Sequence, residues 1–427
     1  MDQNSIRCSG KLRKVLSEEN LNLLGEKTGF HERLRKFTPV RAIWTFVTGL
    51  GSGNVNTIAD FQRLFCNLSG EAMSYKPFHD RLSCEGFPQF FQQTLSMVLT
   101  GLGEPILRGK CRYLKRFVDI LAHDGSSFAL PDDLAKEFPG RFTKVSPAAV
   151  EVHCTYSLYY GQATRIAIAP DKEAERPFLP KPEELKGKLL LQDRGYTSYE
   201  IVAAVKAAGG DVIGRAKDKN LNPTIRKCFR GLADKKGVVG KKLKDIKLPK
   251  NNVDLLIEGK DKHGQIHLVR LVLYYVARKD FHVYLITTLE AREFPPSIVA
   301  SLYRLRWQIE LFFKECKSYT KLQKFRTKNR HIVEGLIWAT MLAVLIRRFL
   351  LYSAFRNTGE RTAPFIAAAM SWTFFRDLGK VAIHDYQGLL RTLKSILEFL
   401  RRSSFRTNLQ RKDTFVILDI VPLKGCA

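Results

Sequence analysis

The sequence predicts an α/β fold with helical N-terminal and C-terminal regions. Between residues 117 and 215, short apolar runs of strand length alternate with one well-formed helical segment. On both sides of this block, apolar residues recur at the three- and four-residue spacing of amphipathic helices. The chain has 427 residues, of which 45% are hydrophobic, so it can bury a sizeable core and is expected to form two or three domains.

Residues 1–110 are predicted to be helical and to form a DNA-binding region. Helical spacing covers Val40–Leu50, Ile58–Leu68 and Phe87–Leu102. The segments Thr57–Leu68 and Ser74–Leu82 fit either a helix-turn-helix or a plain helical hairpin. In the first case Ser74 caps the second helix, which carries Lys76, His79 and Arg81. The glycine-rich segment 49–53 is interpreted as a linker, because it lacks the sequence ending of a phosphate-binding loop.

The central block, 111–350, is predicted to contain a sheet. The predicted strands are Phe117–Ala122, Ala149–Leu158, Ala163–Ala169, Lys188–Gln192 and Asp211–Arg215, with a helix at Ser198–Ala208. Residues 216–281 turn lysine-rich and then strand-rich, with a hairpin formed by Val253–Glu258 and Gln265–Val276, and are predicted to be an insertion. His282–Thr288 returns to the sheet as a strand, and Pro295–Tyr352 is almost wholly helical.

Residues 351–427 are predicted to be a helical C-terminal region. Its clearest helix, Tyr386–Leu400, has one leucine-rich face. That face could join two protomers or cover the chain's own core.

The charge balance points to nucleic acid. Lys and Arg total 70 against 42 for Asp and Glu, a net charge of +28, and phosphate neutralisation is the usual use of such an excess. The lysines at 235, 236, 241, 242, 244 and 247 either follow a DNA backbone or belong to a solvated loop.

The longest apolar stretch, Gly335–Ile346, is too short to span a bilayer and is expected to be a buried helix. The eight cysteines form no CxxC pair, and with no secretion signal they indicate reduced thiols in a cytoplasmic protein.

Three acidic residues are candidate metal ligands. Asp124 and Asp193 each follow a predicted strand at the start of a glycine-containing turn, and reactive groups of open α/β sheets gather at the carboxyl ends of strands. Either aspartate alone could be an ordinary turn residue. Glu310 lies in a predicted helix on which Tyr303, Arg306, Glu310 and Lys317 form one stripe about 60° wide. A solvated face with an Arg306–Glu310 ion pair is the alternative.

These residue types suit phosphodiester chemistry. Carboxylates are the ligands that Mg²⁺ prefers, and two such ions about 4 Å apart can activate a nucleophile and stabilise a leaving oxygen. Arg306 and Lys317 could bind neighbouring phosphates.

The spacing Y-x2-R-x3-E-x6-K, through Tyr303, Arg306, Glu310 and Lys317, resembles that of the DDE transposases of the bacterial insertion sequence 4 family. Asp124 in Asp-Gly-Ser and Asp193 in Asp-Arg-Gly-Tyr are similar to that family's two aspartates. The resemblance covers roughly 111–350. It implies a ribonuclease H-like core interrupted by a β insertion, with Asp124, Asp193 and Glu310 holding Mg²⁺, or Mn²⁺ as a substitute, as two ions.

The resemblance also implies cut-and-paste transposition. Tyr303, Arg306 and Lys317 would contact DNA near the element's end. Trp307 would stack on a base that some members flip out, unless it is a core tryptophan. The expected partner is double-stranded DNA, at the element ends and at the target, with a homodimer in the DNA complex and no membrane. A DNA-binding relative that does not cut, and a nuclease of the same fold, are the alternative functions.

Overall fold

A large mixed sheet with helices on both faces forms the centre of the computed structural model. It describes residues 3–53, 55–216, 221–320, 327–356, 358, 362, 364–370, 372–385, 388–404, 418 and 420–422. The strands are β1 (Leu107–Gly109), β2 (Ile120–Ala129), β3 (Ala149–Ser157), β4 (Gln162–Pro170), β5 (Leu189–Gln192), β6 (Asp211–Arg215), β7 (Thr224–Arg230), β8 (Val253–Lys260), β9 (Ile266–Val276), β10 (Phe281–Thr287) and β11 (Ile420–Pro422). The helices are α1 (Gln3–Val15), α2 (Glu18–Lys27), α3 (Pro39–Ser52), α4 (Ile58–Ser69), α5 (Tyr75–Leu82), α6 (Gly86–Leu102), α7 (Tyr199–Ala207), α8 (Pro296–Arg304), α9 (Trp307–Thr320), α10 (Arg330–Phe355), α11 (Pro364–Met370), α12 (Trp372–His384) and α13 (Leu389–Ser403).

The sheet has the order β4-β3-β2-β5-β6-β10-β9-β8-β7. β2 is antiparallel to β3 and parallel to β5, and β5 is parallel to β6. The remaining neighbours are antiparallel. The mixed α/β class with helical ends, predicted from the two kinds of periodicity, is therefore confirmed.

The lysine- and strand-rich segment continues the same sheet. β10 pairs with β6 on one side and β9 on the other, so β7 to β9 extend the sheet that carries β2 and β5. The predicted hairpin is present as β8 and β9. Asp261 stabilises its turn by accepting hydrogen bonds from the amides of His263 and Gln265, and Gly264 has a positive φ of 81°.

Helices from both ends of the chain pack together. α10 packs on α3, α6 and α13, and one buried apolar cluster joins these helices to β2 and β3. The N-terminal part of the cluster is rich in phenylalanine, and Phe30 stacks on Phe90 at a centroid distance of 4.5 Å. Leu389, Leu393, Ile396, Leu397 and Leu400 of α13 are buried against the chain's own helices, which favours the core-covering alternative for this face. Residues 386 and 387, the predicted start of this helix, lie outside the described residues.

The segment 49–53 is not a linker. Gly49 and Gly51 lie inside α3, and Gly53 ends the helix with a positive φ of 67°. A Cβ atom on Gly49 would lie 2.6 Å from the Phe61 ring, and one on Gly51 would lie 2.8 Å from the Phe375 ring. The glycines therefore permit α4 and α12 to approach α3 closely, a tertiary requirement that local composition does not reveal.

α10 is longer than the apolar stretch that predicted it. Its 26 residues are long and apolar enough to cross a membrane by length and composition, but 94% of its most apolar window is buried inside the protein. This burial agrees with the predicted core helix.

Candidate functional site

Asp124 lies within a strand and not after one. β2 continues to Ala129, because β3 offers pairing partners along its whole length. The parallel pairing of β2 with β5 ends one residue earlier, at His123 opposite Gln192. Asp124 is thus the first residue of β2 without a partner on β5, and the predicted turn at Gly125-Ser126-Ser127 is wrong.

Asp193 does follow its strand, as predicted. It comes directly after β5, and its carbonyl oxygen accepts hydrogen bonds from the Tyr196 amide and the Thr197 hydroxyl, each 3.1 Å long. Since neighbouring strands lie about 4.8 Å apart, the parallel register brings Asp193 beside Asp124 at the same level of the sheet.

The predicted single helix through Tyr303 and Lys317 is two helices. α8 ends at Arg304 and α9 begins at Trp307. Between them the chain forms a 3₁₀ turn. The Leu305 amide donates to the Leu302 carbonyl and the Arg306 amide donates to the Tyr303 carbonyl, both at 3.0 Å. The apolar side is as predicted: Leu305, Ile309, Phe312 and Cys316 are all buried.

The polar side of this broken helix meets both aspartates. The Arg306 guanidinium donates to Asp124 Oδ2 at 3.0 Å and also to Glu310 Oε1. The Tyr303 hydroxyl donates to Asp193 Oδ1 at 3.4 Å, and its ring lies 5.9 Å from the Arg306 guanidinium. The structure therefore brings Asp124, Asp193, Tyr303, Arg306 and Glu310 together, although they are up to 186 positions apart in sequence.

Burial gives this cluster unusual electrostatics. Burial raises the pKa of Asp124 to about 6, the Arg306 cation opposes that rise, and the charges of Asp193 and Glu310 add to it. Burial also raises the pKa of the Tyr303 phenol to about 12, so it remains a hydrogen-bond donor at neutral pH. The cluster holds three acidic groups against one cation, and further positive charge would relieve their repulsion.

Lys317 and Trp307 are the remaining predicted site residues. Lys317 is exposed, and its ammonium lies 5.1 Å from the ring of Phe128 on the extension of β2 beyond Asp124. Trp307, at the first position of α9, is 57% exposed. The alternative of a core tryptophan is therefore wrong, and an aromatic face is available to a ligand beside Arg306.

The donor set suits a hard divalent cation, but the acids are not arranged around one point. In the described part of the chain, no group of three or more His, Cys, Asp or Glu side chains is arranged to hold a metal ion. Arg306 lies between Asp124 and Glu310 instead. The carboxylates fit the chemistry of Mg²⁺ or Mn²⁺, provided that Arg306 gives up at least one of them.

A second polar network lies on the opposite face of the sheet, and the sequence predictions missed it. Glu151, His153, Thr155 and Ser157 alternate along β3 and are all buried. The strand period of two places them on one face. This polar stripe in an otherwise apolar strand could have predicted a buried polar network from the sequence. Thr155 contacts His123 at 3.0 Å, and burial raises the pKa of Glu151 to about 7, with neighbouring Glu175 adding to the rise.

The other basic candidates lie away from this cluster. Lys76 and Arg81 are exposed on α5, and Ser74 occupies the N-cap position but makes no side-chain cap bond. Arg33, Arg35, Lys36, Arg41 and Arg81 line a cleft of 1190 Å³ between α5 and neighbouring helices. The lysines between 235 and 247 are all exposed. The helix-turn-helix and the DNA-tracking role of these lysines stay predictions.

Comparison with known proteins identifies a family. A family model described as "Transposase DDE domain" matches residues 116–346, more than half of the chain. The chain is 24% identical over 358 residues to the transposase for insertion sequence element IS1151 of Clostridium perfringens, covering 74% of this chain and 75% of the relative. It is 22% identical to the transposase for IS231B of Bacillus thuringiensis subsp. berliner, covering 97% and 95%.

Two further similarities are more limited. The putative transposase InsL for IS186A of Escherichia coli (strain K12) is 43% identical over 65 residues, or 15% of this chain. A piggyBac transposase in a synaptic complex with hairpin DNA aligns over 93% of this chain and 85% of that chain, with 11% identity and a TM-score of 0.45.

Proposed function

The chain belongs to the DDE transposases, which are enzymes acting on DNA, and from that premise we propose that it binds the terminal inverted repeats of an insertion sequence and catalyses metal-dependent strand cleavage and strand transfer. The observation that carries this proposal is the convergence of Asp124, Asp193 and Glu310 on Arg306 and Tyr303. Within the family, the spacing of Tyr303, Arg306, Glu310 and Lys317 favours the insertion sequence 4 group.

The proposed core is ribonuclease H-like. Its support is the order β4-β3-β2-β5-β6, in which three antiparallel strands are followed by two parallel ones. β7 to β9 would then be the family's β insertion, placed between the second aspartate and the glutamate. The domain limits of 1–110, 111–350 and 351–427 are part of the same proposal.

Asp124, Asp193 and Glu310 are the proposed ligands of two Mg²⁺ ions, or of Mn²⁺. Domains of this family generally use divalent metal ions. When bound, such ions supply an activated water or 3′-hydroxyl and neutralise charge on the leaving oxygen. Arg306 bonds to both Asp124 and Glu310, and its positive charge reduces the repulsion between these two carboxylates.

Arg306 has a second proposed role, in binding DNA. If Asp124 and Glu310 were to hold a divalent ion, Arg306 would lose these carboxylates as partners, and its forked donors could then bind a phosphate. The exposed Lys317 would bind a neighbouring phosphate. The Tyr303 phenol has one proton, so its hydroxyl would donate either to Asp193 or to a phosphate of the DNA backbone. The exposed Trp307 is suited to stack on an extruded base. A homodimer would hold the two element ends.

Strand cleavage in vitro tests this function. DNA carrying the flanks of the gene is incubated with wild type, Glu310→Ala and the control Glu290→Ala, with Mg²⁺ and with EDTA. We expect metal-dependent nicking at the flank boundary by wild type and Glu290→Ala, and loss of nicking with retained DNA binding in Glu310→Ala. Normal cleavage by Glu310→Ala would contradict the site.

The same assay separates the alternatives. Binding without cleavage by wild type would favour a relative that only holds DNA. Cleavage without joining of a precleaved end to a target would favour a nuclease.

A further inference from the structure

Arg141 lies at the centre of the polar network behind the two aspartates. Its amide donates to Asp171 Oδ2 at 2.9 Å, and its Nε donates to the Asp171 carbonyl at 3.2 Å. One terminal nitrogen donates to Glu175 Oε1 at 2.8 Å, and the other donates to Glu151 Oε2 at 3.0 Å. A single guanidinium thus bridges a buried glutamate of β3 and a glutamate of the segment that follows β4.

Each bridged glutamate lies against one aspartate segment. A Cβ atom on Gly125, the residue after Asp124, would lie 2.2 Å from Glu151 Oε1. A Cβ atom on Gly195, two residues after Asp193, would lie 3.0 Å from Glu175 Oε2. Neither Gly125 nor Gly195 has a positive φ angle, and a side chain at either position would have to displace the carboxylate that it meets.

The Tyr196 hydroxyl lies close to Gly125, on the same face of the sheet as Glu151. It is buried without a hydrogen-bond partner in the part of the chain that the structure describes, and it lies 3.1 Å from the Cβ position of Gly125. The Tyr196 ring packs edge-on against His123, at a centroid distance of 5.1 Å. The turn after β5 and the strand β2 therefore touch through Tyr196 on the face away from α9.

We infer that Arg141 is a positioning residue that sets the separation of Asp124 and Asp193. Asp124 extends from β2 toward α9, while Gly125, one residue on, faces the Arg141 network. Arg141 fixes the positions of Glu151 and Glu175 by bonding to both. These glutamates in turn fix the two aspartate segments from the face opposite α9, so that the Asp124 and Asp193 carboxylates are positioned to bind a metal ion. Without Arg141, Glu151 and Glu175 would lose the partner that they share, and neither carboxylate would be held against the glycine of its aspartate segment.

The inference rests on the proposed metal-binding function, so its test is read without DNA. Binding of Mn²⁺ is measured from the electron paramagnetic resonance of the free ion, for wild type and for Arg141→Gln, Arg141→Lys and Glu175→Gln. Lys144→Gln is the control, because Lys144 is an exposed cation of the same loop. Thermal unfolding and DNA binding in EDTA accompany each measurement.

Arg141→Gln is expected to weaken Mn²⁺ binding about 10-fold, the lower end of the range for losing a group bonded directly to a metal ligand, because Arg141 acts through Glu151 and Glu175. Arg141→Lys and Glu175→Gln, which each keep part of the bridge, should lose less, and Lys144→Gln should match wild type. DNA binding in EDTA should stay unchanged throughout, which a general loss of structure would not allow.

Two results would overturn the inference: wild-type Mn²⁺ affinity in both Arg141→Gln and Glu175→Gln, or a wild type that binds no Mn²⁺. A wild type that binds Mn²⁺ but cuts no DNA would contradict the proposed function alone, and the variants would still decide the role of Arg141.

Discussion

At the scale of single residues, the sequence identified the acids and the cations and offered the Arg306–Glu310 ion pair as an alternative, but it did not show that Arg306 also contacts Asp124. Residue type and spacing were enough to select Asp124, Asp193, Glu310, Tyr303 and Arg306, which the structure brings together. That Arg306 forks between two carboxylates depends on the sheet register and on the helix break, which no local pattern encodes.

The residues behind the aspartates were missed for a related reason. Arg141 lies in a loop where an exposed cation is ordinary, and its partners come from two separate segments, β3 and the residues that follow β4. The alternating polar residues of β3 could have been noticed, because a buried strand seldom carries a glutamate and a histidine on one face. Their contacts become visible only when β2, β3 and the 171–178 segment are assembled.

His153 makes a pH-dependent contribution to stability. It is stacked on Phe178 at 3.9 Å, neither of its buried ring nitrogens is hydrogen-bonded in the described structure, and burial lowers its pKa to about 4. The unfolded chain, with a histidine pKa of about 6.5, takes up the proton first. Stability is therefore lost as the pH falls from 6.5 toward 4.

We predict that His153→Gln removes this loss. Between pH 7 and pH 5, wild type should lose about 2 kcal/mol of unfolding free energy relative to the variant. Urea unfolding at each pH provides the measurement. His263→Gln, at an exposed histidine in the β8–β9 turn, is the control and should give a curve parallel to wild type. A parallel curve for His153→Gln as well would refute the prediction.

At the scale of elements, periodicity located most helices and strands but misjudged where they stop. The predicted end of β2 at Ala122 failed because pairing with β3 carries the strand through a glycine and two serines. The predicted helix over Tyr303–Lys317 failed at residues 305 and 306, where the backbone hydrogen bonds change from the α-helical to the 3₁₀ pattern. β7 was not predicted at all. For β2 and β7, pairing with a neighbouring strand overrode local propensity.

α9 is fixed by a buried ion cluster one and a half turns beyond Glu310. Glu315 Oε1 accepts bonds from Arg347 at 3.1 and 2.7 Å, and Oε2 accepts bonds from Arg348 at 2.9 and 2.7 Å. Arg348 also donates to the Tyr156 hydroxyl of β3 at 3.0 Å. All three charged side chains are at most 3% exposed, so the cluster ties α9 to α10 and to the sheet.

We predict that Glu315→Gln lowers the unfolding free energy by about 3 to 5 kcal/mol, because it leaves two buried guanidiniums without their carboxylate. Glu334→Gln removes the partner of the exposed Arg330 and should cost less than about 1 kcal/mol. Denaturant unfolding of both variants provides the comparison. Equal, small losses would show that the buried cluster is not needed to hold α9.

At the scale of the whole molecule, composition predicted the partner class but not its location on the surface. The net charge of +28 indicated nucleic acid, and the family agrees with an enzyme that acts on DNA. The exposed lysines at 241, 242, 244 and 247 lie near the sheet edge formed by β7, beyond the strands that carry the two aspartates. Whether they follow DNA depends on the path of the duplex, which is a property of the complex.

The salt dependence of DNA binding distinguishes a DNA-tracking edge from a solvated loop. Each phosphate contact releases counterions, so log K falls with log[salt] with a slope of about −0.9 per contact. If these four lysines contact DNA, replacing all four with Gln should make the slope shallower by about 3.6. Lys206→Gln, on α7 at the other face of the sheet from α9, should leave the slope unchanged.

The measurement is fluorescence anisotropy with element-end DNA at several salt concentrations in EDTA. An unchanged slope in the fourfold variant would assign these lysines to solvent and leave phosphate binding to Arg306, Lys317 and the N-terminal helices.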